Sequence, residues 1–204
     1  MDLRSGIIET ANALGMNPLD LATIISYETA GTFDPSKAGP TTQYGQHRGL
    51  IQFGEPQAQQ YGVDWGNALA SQLGPDGAIA RYYKENGWQP GMDMLDAYSI
   101  VNAGAPGRYN ASDANNGGAP GTVADKVRDQ MGGHRQNALA LLGAEFERGA
   151  EQNSGGVNAL ASMTQDQQGN TQRLNIPDSR LDPRDFMVDT RRREIIPLTY
   201  TRRA

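Results

Sequence analysis

Apolar residues at intervals of three and four dominate the first 148 residues of the chain, and this spacing is typical of amphipathic helices. The first such series runs from Leu3 to Leu14, and Gly15 is a suitable helix stop. A second helix is expected to begin at Asn17 and Pro18, because these residues suit the N-cap and the first helical position.

The second helix is expected to end near Gly31, where a long loop begins. Strand signals are weak, and a short hairpin is predicted from Thr41–Tyr44 and Gly49–Phe53. The pattern therefore predicts an all-α to α+β fold, dominated by helices, in one domain over residues 1–148. Further helical patterns cover residues 56–61, 65–73, 75–86, 93–103 and 120–148.

The last quarter of the chain has a different composition. Residues 1–150 carry 16 acidic and 10 basic side chains, whereas the remainder carries 7 and 8. Residues 149–172 are rich in Gln, Asn, Ser and Gly, which predicts a flexible linker. Residues 173–204 hold three prolines, which favour extended chain, and ten sizeable apolar side chains. Because such a segment cannot build a core alone, we expect an extended arm that docks on a partner protein.

Composition excludes several classes of site. The chain has no cysteine and two histidines, so disulfides, thiolate metal sites and a cysteine nucleophile are excluded. We expect neither a metal nor another cofactor. The net charge of −5 argues against a dedicated nucleic-acid binder. Five arginines between residues 191 and 203 alternate with Asp189 and Glu194, which favours a protein-docking tail over a nucleic-acid tail.

The sequence shows no pattern typical of a membrane span or a secretory signal. No apolar run approaches the length of a membrane span, and the first residues lack the basic flank and apolar core of a secretory signal. We therefore expect neither a membrane span nor a signal peptide.

Glu28 is the first residue whose position suggests chemistry. It follows Ile24, Ile25 and Tyr27 at the expected end of the second helix. Apolar neighbours and the negative end of the helix dipole both disfavour an ionised carboxylate and raise its pKa. A carboxyl that is protonated near neutral pH suits a general acid for glycosidic bond cleavage, although an exposed glutamate at a frayed helix end has the same sequence pattern.

Two later segments deliver polar side chains from apolar surroundings. Gln52 lies within the glycine-flanked segment Gly49–Gly54, and an amide in such a segment requires hydrogen-bond partners. Asn102 follows Tyr98 by one turn before a Gly/Pro loop, so both side chains can face one cleft. A satisfied structural amide and ordinary helix-stop chemistry are the alternatives.

In this order, the three segments resemble lytic transglycosylases of the goose-lysozyme-like superfamily over roughly residues 15–145. The resemblance rests on Glu28–Thr29, on Gly49–Phe53, and on Ala97–Tyr98 with Val101–Gly104. It implies a lysozyme-like domain in which Glu28 is catalytic. Substrate contacts are then expected from Gln52, Tyr98, Asn102, Thr29, Tyr44 and Phe53.

The resemblance also implies a mechanism. Glu28 would protonate the oxygen between N-acetylmuramic acid and N-acetylglucosamine and then accept the proton of the muramyl C6 hydroxyl, which gives a 1,6-anhydro product. The family's tyrosine directly before the asparagine is Val101 here, and Tyr98 is the expected substitute. Residues 39–48 are expected to form an inserted loop over the cleft.

Two other functions are compatible with these residues. A hydrolytic, lysozyme-type endolysin would need a second carboxylate, for which Asp34 and Glu55 are the candidates, although both suit turn or helix-start positions better. A degenerate, non-catalytic wall-binding or structural virion protein is the other class. Peptidoglycan is the expected partner, and the missing signal peptide with the unusual tail favours a phage virion component that opens the cell wall during genome entry.

Overall fold

The structure, a computed structural model, describes residues 1–143 and Phe146. Helices make up 54% of these residues, and one two-stranded antiparallel sheet accompanies them, so the predicted α-dominated class is confirmed. Within the described residues, no helix is long and apolar enough to cross a membrane. The predicted linker over 149–172 and the predicted arm over 173–204 lie outside the described residues.

The elements follow one another in this order: α1 Leu3–Leu14, α2 Pro18–Glu28, β1 Ala38–Thr42, β2 Gly45–Arg48, α3 Glu55–Gln60, α4 Ala68–Gln72, α5 Ala78–Glu85, α6 Met94–Ala103, α7 Val123–Asp125 and α8 Gly132–Leu142. Short 3-10 turns at Trp65–Asn67 and Ala114–Asn116 and a π-helical turn at Lys126–Gln130 complete the described part.

The ends of α1 and α2 follow the local signals in the sequence. Gly15 adopts a left-handed conformation with φ +59° and ends α1. The Asn17 side chain accepts a hydrogen bond of 2.9 Å from the backbone N–H of Leu19 and caps α2. The helix itself ends at Glu28, three residues before the predicted stop at Gly31.

Helix α2 is the centre of the fold. Five of its apolar side chains are fully buried, and it packs against α1, α6 and α8. A helix that is apolar on nearly all sides is stable only when neighbours surround it. The chain therefore delivers the C-terminal end of α2, including Glu28, to the interior. The buried apolar residues of α2 are Leu19, Leu21, Ala22, Ile24 and Ile25.

A hairpin is present, but both of its strands lie earlier in the chain than the predicted strands Thr41–Tyr44 and Gly49–Phe53. β1 pairs with β2, with Thr42 opposite Gly45, so the tight turn falls at residues 43–44. Gly49 and Gln52 have φ values of +90° and +57° and therefore cannot continue an extended strand. Of the predicted strand Gly49–Phe53, residues 49–52 form a turn instead, and Phe53 pairs with Arg48 in an isolated antiparallel bridge.

The predicted helix over 120–148 is also interrupted. Gly121, at φ +103°, precedes the N-cap Thr122, so the helical chain begins later than predicted. The π-helical turn at Lys126–Gln130 then separates α7 from α8. Such turns are common near functional sites because they redirect a side chain from the regular helical face.

Candidate active site

A cleft of about 1150 Å³ lies at the end of α2. Its walls come from α2, the β1–β2 hairpin, the turn after β2, α6, the loop that contains Asp113, and the segment Lys126–His134. Six of the seven residues predicted as site residues line it: Glu28, Tyr44, Gln52, Phe53, Tyr98 and Asn102. The seventh, Thr29, does not.

Glu28 is the partly buried last residue of α2. Burial raises the pKa of its carboxyl, and the nearby negative charge of Asp113 raises it further. The Tyr98 hydroxyl and the Lys126 ammonium group lower it, and the net pKa is about 7. The carboxyl therefore exchanges its proton near neutral pH, as an acid that later acts as a base requires.

Tyr98 reaches the same carboxyl from α6. Its side chain is buried, and its hydroxyl is a hydrogen-bond partner of Glu28. The Tyr27 ring packs edge to face against the Tyr98 ring, which fixes the position of the phenol. Burial and the Glu28 charge raise the pKa of Tyr98 well above its usual range, so it remains a neutral donor. Val101 also lines the cleft but offers no hydroxyl.

Hydrogen bonds of both the side-chain amide and the backbone carbonyl hold Gln52 in place. The side-chain Nε2 donates to the Lys37 carbonyl at 3.1 Å and to the Gly49 carbonyl at 2.9 Å. His47 Nδ1 lies 2.9 Å from the Gln52 carbonyl oxygen. Gly39 packs so closely that a Cβ there would overlap Oε1 of Gln52. That oxygen is buried and has no hydrogen-bond partner among the described residues.

Asn102 belongs to a charged group that the sequence did not reveal. Its Nδ2 donates to Asp113 Oδ2 at 2.7 Å, and the other Asp113 oxygen is paired with Lys126. The Lys126 side chain is 1% exposed and that of Asp113 is 32% exposed. Asn102 Oδ1 is buried without a partner in the described part of the chain, so it is an acceptor at the cleft wall.

The remaining predicted contacts differ in accessibility. Tyr44 is 56% exposed at the hairpin and lines the cleft. Phe53 is 1% exposed, and its ring packs edge to face against Tyr82 at 5.7 Å, so little of it is available for a ligand. Thr29 is fully buried: its hydroxyl donates to the Ile25 carbonyl and accepts from the Phe33 amide. Thr29 therefore shapes the end of α2 rather than the cleft surface.

The sequence did not predict one further part of the cleft wall, formed by Tyr27, Gln130 and His134. The Tyr27 hydroxyl donates to Gln130 Oε1 at 2.6 Å, and the His134 ring packs edge to face against the Tyr27 ring at 5.3 Å. His134 Nδ1 lies 3.0 Å from the Ser26 hydroxyl. Burial lowers the pKa of His134, which favours its neutral form at pH 7. The side chains of Tyr27, Gln130 and His134 line the cleft.

Asp113 is the carboxylate in the cleft that sequence reasoning missed. Asp34 and Glu55, the two candidates for a second acid, are both absent from the lining of the cleft. The sequence holds one indirect signal: Lys126 follows the apolar Val123 by three residues and so shares one face of a helix with it. A lysine on an inward face requires a carboxylate partner.

Metal ligation is not suggested by the described part of the chain, where no group of three His, Asp or Glu side chains could hold an ion. Comparison with protein-family models, curated protein sequences and solved structures gives no match to this chain. What the cleft can do chemically therefore rests on its own geometry.

Proposed function

We propose that the chain is a peptidoglycan lytic transglycosylase on a lysozyme-like domain. The observation that carries the proposal is a single glutamate at the wall of a large cleft, with a pKa of about 7. A carboxyl with this pKa can donate and then recover a proton at neutral pH, as general acid–base catalysis requires. The cleft volume of about 1150 Å³ is sufficient for several sugar rings.

In the proposed reaction, protonated Glu28 donates its proton to the oxygen that joins N-acetylmuramic acid to N-acetylglucosamine. The bond from that oxygen to C1 of the muramyl residue then breaks. The C6 hydroxyl of the same residue attacks C1 and gives its proton to the Glu28 carboxylate, which restores the acid. The product is a 1,6-anhydromuramyl end, and no water is consumed.

The neighbours of Glu28 have separate tasks in this proposal. The Tyr98 hydroxyl orients the carboxyl and stabilises its ionised form after the first proton transfer. Asn102 lines the cleft and its Oδ1 has no partner in the described structure, which suits it to an N–H or O–H group of the glycan, whereas Gly39 covers Gln52 Oε1. Exposed Tyr44 offers an aromatic face for a sugar ring.

Hydrolysis is the second candidate, and Asp113 is the observation that favours it. Glycosidases that use water carry two carboxylates on either side of the scissile bond. Asp113 lines the same cleft as Glu28 and is partly exposed. In that reaction a water molecule, rather than the C6 hydroxyl, would attack C1 and leave a reducing muramyl end.

The biological setting is part of the same proposal. A phage virion component that cuts the host wall during genome entry combines a wall-cleaving domain with the apolar, proline-spaced segment 173–204. In this setting, the domain acts on peptidoglycan in the host cell wall, and the segment docks on a virion protein.

Mass spectrometry of purified peptidoglycan after digestion tests the activity. The expected product ends in 1,6-anhydromuramic acid, whereas a reducing muramic acid end would indicate hydrolysis. Glu28→Gln should abolish both products, since general acid catalysis contributes about 10²–10⁴-fold. The matched control is Glu85→Gln, because Glu85 also ends a helix but is exposed and lies outside the cleft. Normal cleavage by folded Glu28→Gln would overturn the assignment.

A further inference from the structure

Lys126, Asp113 and Asn102 form a connected polar group beside Glu28. Asp113 accepts one hydrogen bond from Asn102 at 2.7 Å and is paired with Lys126 through its other oxygen. Lys126 is almost fully buried, and a buried ammonium group is stable only with a paired carboxylate. These two contacts fix the Asp113 side chain at the cleft wall.

We propose that Asp113 is a positioning residue of the cleft: held by Lys126 and by Asn102, one helical turn from Tyr98, it presents its negative charge to the Glu28 carboxyl in the same cleft. Lys126 holds Asp113 in place and partly offsets that charge. In this proposal Asp113 acts through its charge, and each of its oxygens has one partner within the protein. The consequence for catalysis rests on the proposed function, whereas the effect on Glu28 itself does not.

Titratable side chains face Glu28 from several helices. Tyr27 precedes it on α2, Tyr98 faces it from α6, and Tyr82 of α5 lies in the same cleft. Burial raises the pKa of each of these phenols, so all three remain neutral. Apart from Asp113 and Lys126, the other titratable groups that line the cleft are Lys37, Tyr44 and His47 in or near the hairpin and His134 on α8.

Asp113 and Lys126 are the charged groups that change the pKa of Glu28, and they do so in opposite directions. Asp113 raises this pKa, and Lys126 lowers it by a smaller amount. Removal of Asp113 therefore lowers the pKa of Glu28, since its raising charge is lost while the Lys126 charge still lowers that pKa. Removal of Lys126 acts in the opposite direction.

The decisive experiment compares Asp113→Asn, Lys126→Met and the double variant with the wild type. The pH at which cleavage is lost on the alkaline side should be highest for Lys126→Met, followed by the wild type, the double variant and then Asp113→Asn. For Asp113→Asn, we expect the alkaline limb of the pH–activity profile to lie about one pH unit below that of the wild type. A purely structural role would lower activity in both single variants without moving their limbs in opposite directions.

Asp129→Asn is the control for the loss of one negative charge. Asp129 lies in the same π-helical turn as Lys126, is exposed, pairs with Arg128 and does not line the cleft. Its pH profile should match the wild type. Should a single variant fail to fold, the double variant, which leaves no unpaired charge, supplies the comparison with the wild type.

A carbon NMR titration of the Glu28 carboxyl in the full chain, without substrate, gives a readout independent of activity. The same order of titration midpoints is expected. If the wild type cleaves peptidoglycan but the titration midpoint of Asp113→Asn equals or exceeds that of the wild type, the role of Asp113 is overturned. If the midpoints shift in the expected order but peptidoglycan is not cleaved, the electrostatic role stands and the proposed function fails.

Discussion

The rings of Tyr27 and Tyr98 meet edge to face, with centroids 5.6 Å apart and planes at 85°. This contact joins the end of α2 to the middle of α6, two helices separated by more than 60 residues of chain. Because Glu28 directly follows Tyr27, the contact also brings the Glu28 carboxyl to the Tyr98 hydroxyl. An aromatic pair thus fixes the geometry of the candidate acid and its hydrogen-bond partner.

The first prediction concerns the pH dependence of stability. The pKa of Glu28 is about 7 in the folded protein against an ordinary value of 4.5, so the folded state holds a proton that the unfolded chain releases between these pH values. The free energy of unfolding therefore falls as the pH rises through this window. Glu28→Gln removes this pH dependence. Its free energy of unfolding relative to that of the wild type should therefore rise by up to about 3 kcal/mol from pH 4 to pH 8.

Urea denaturation of both proteins at pH 4, 6 and 8 measures this difference. Glu85→Gln serves as the control, because its exposed carboxyl should leave the wild-type pH dependence unchanged. A constant difference between Glu28→Gln and the wild type at all three pH values would show that Glu28 is not held in a raised-pKa environment.

The second prediction separates two buried tyrosines. Tyr98→Phe removes the hydroxyl that interacts with Glu28 and should lower turnover by about 10- to 100-fold, the value of one hydrogen bond to a charged group. Tyr83→Phe is the matched control, because the Tyr83 hydroxyl is buried with no partner among the described residues. It should leave turnover unchanged and stability equal or slightly higher.

Steady-state cleavage assays on soluble glycan fragments test both variants, with circular dichroism as the check on folding. A comparable loss of turnover in Tyr83→Phe would indicate a general packing effect and remove the special role of Tyr98.

The third prediction concerns Gln52. Its amide donates to two backbone carbonyls, so Gln52→Ala should destabilise the protein by about 1–3 kcal/mol in addition to lowering turnover. The replacement also keeps a residue with a Cβ at φ +57° and so relieves no backbone strain. Thermal unfolding gives the stability change, and Gln59→Ala on the exposed side of α3 is the control. An unchanged melting temperature would contradict the anchoring role of the amide.

The fourth prediction concerns the last quarter of the chain. Arg4 donates to the Leu142 carbonyl at 2.9 Å and lies 5.7 Å from the Phe146 ring, so residues before 148 already join α1 to the end of α8. A chain shortened after residue 148 should keep its melting temperature and its cleavage activity. It should fail to enter the virion, because the proposed docking segment is absent.

Incorporation into particles is measured by immunoblotting of purified virions made with the full or the shortened chain. Normal packaging of the shortened chain would contradict docking through residues 173–204. Unfolding of the shortened chain would show instead that this segment contributes to the stability of the domain.

Local signals in the sequence determined much of the helical part of the fold. Asn17 and Gly15 mark the helix boundaries because capping depends on the side chains and φ angles of neighbouring residues. The position of Glu28 at a helix end follows from the same signals. Gln52, Tyr98 and Asn102 could be placed at a common cleft only through the order of their motifs, and all three line it.

The tertiary structure decided which groups act on Glu28. Asp113 lies 85 residues further along the chain in a loop, and no periodicity or capping rule fixes a loop residue relative to a distant helix end. Packing between segments, which no local rule describes, likewise decides the burial of Thr29, the turn over residues 49–52 and the pairing of Asp113 with Lys126. Local interactions select helices, whereas the electrostatic field at a carboxyl depends on every charge that folding brings near it.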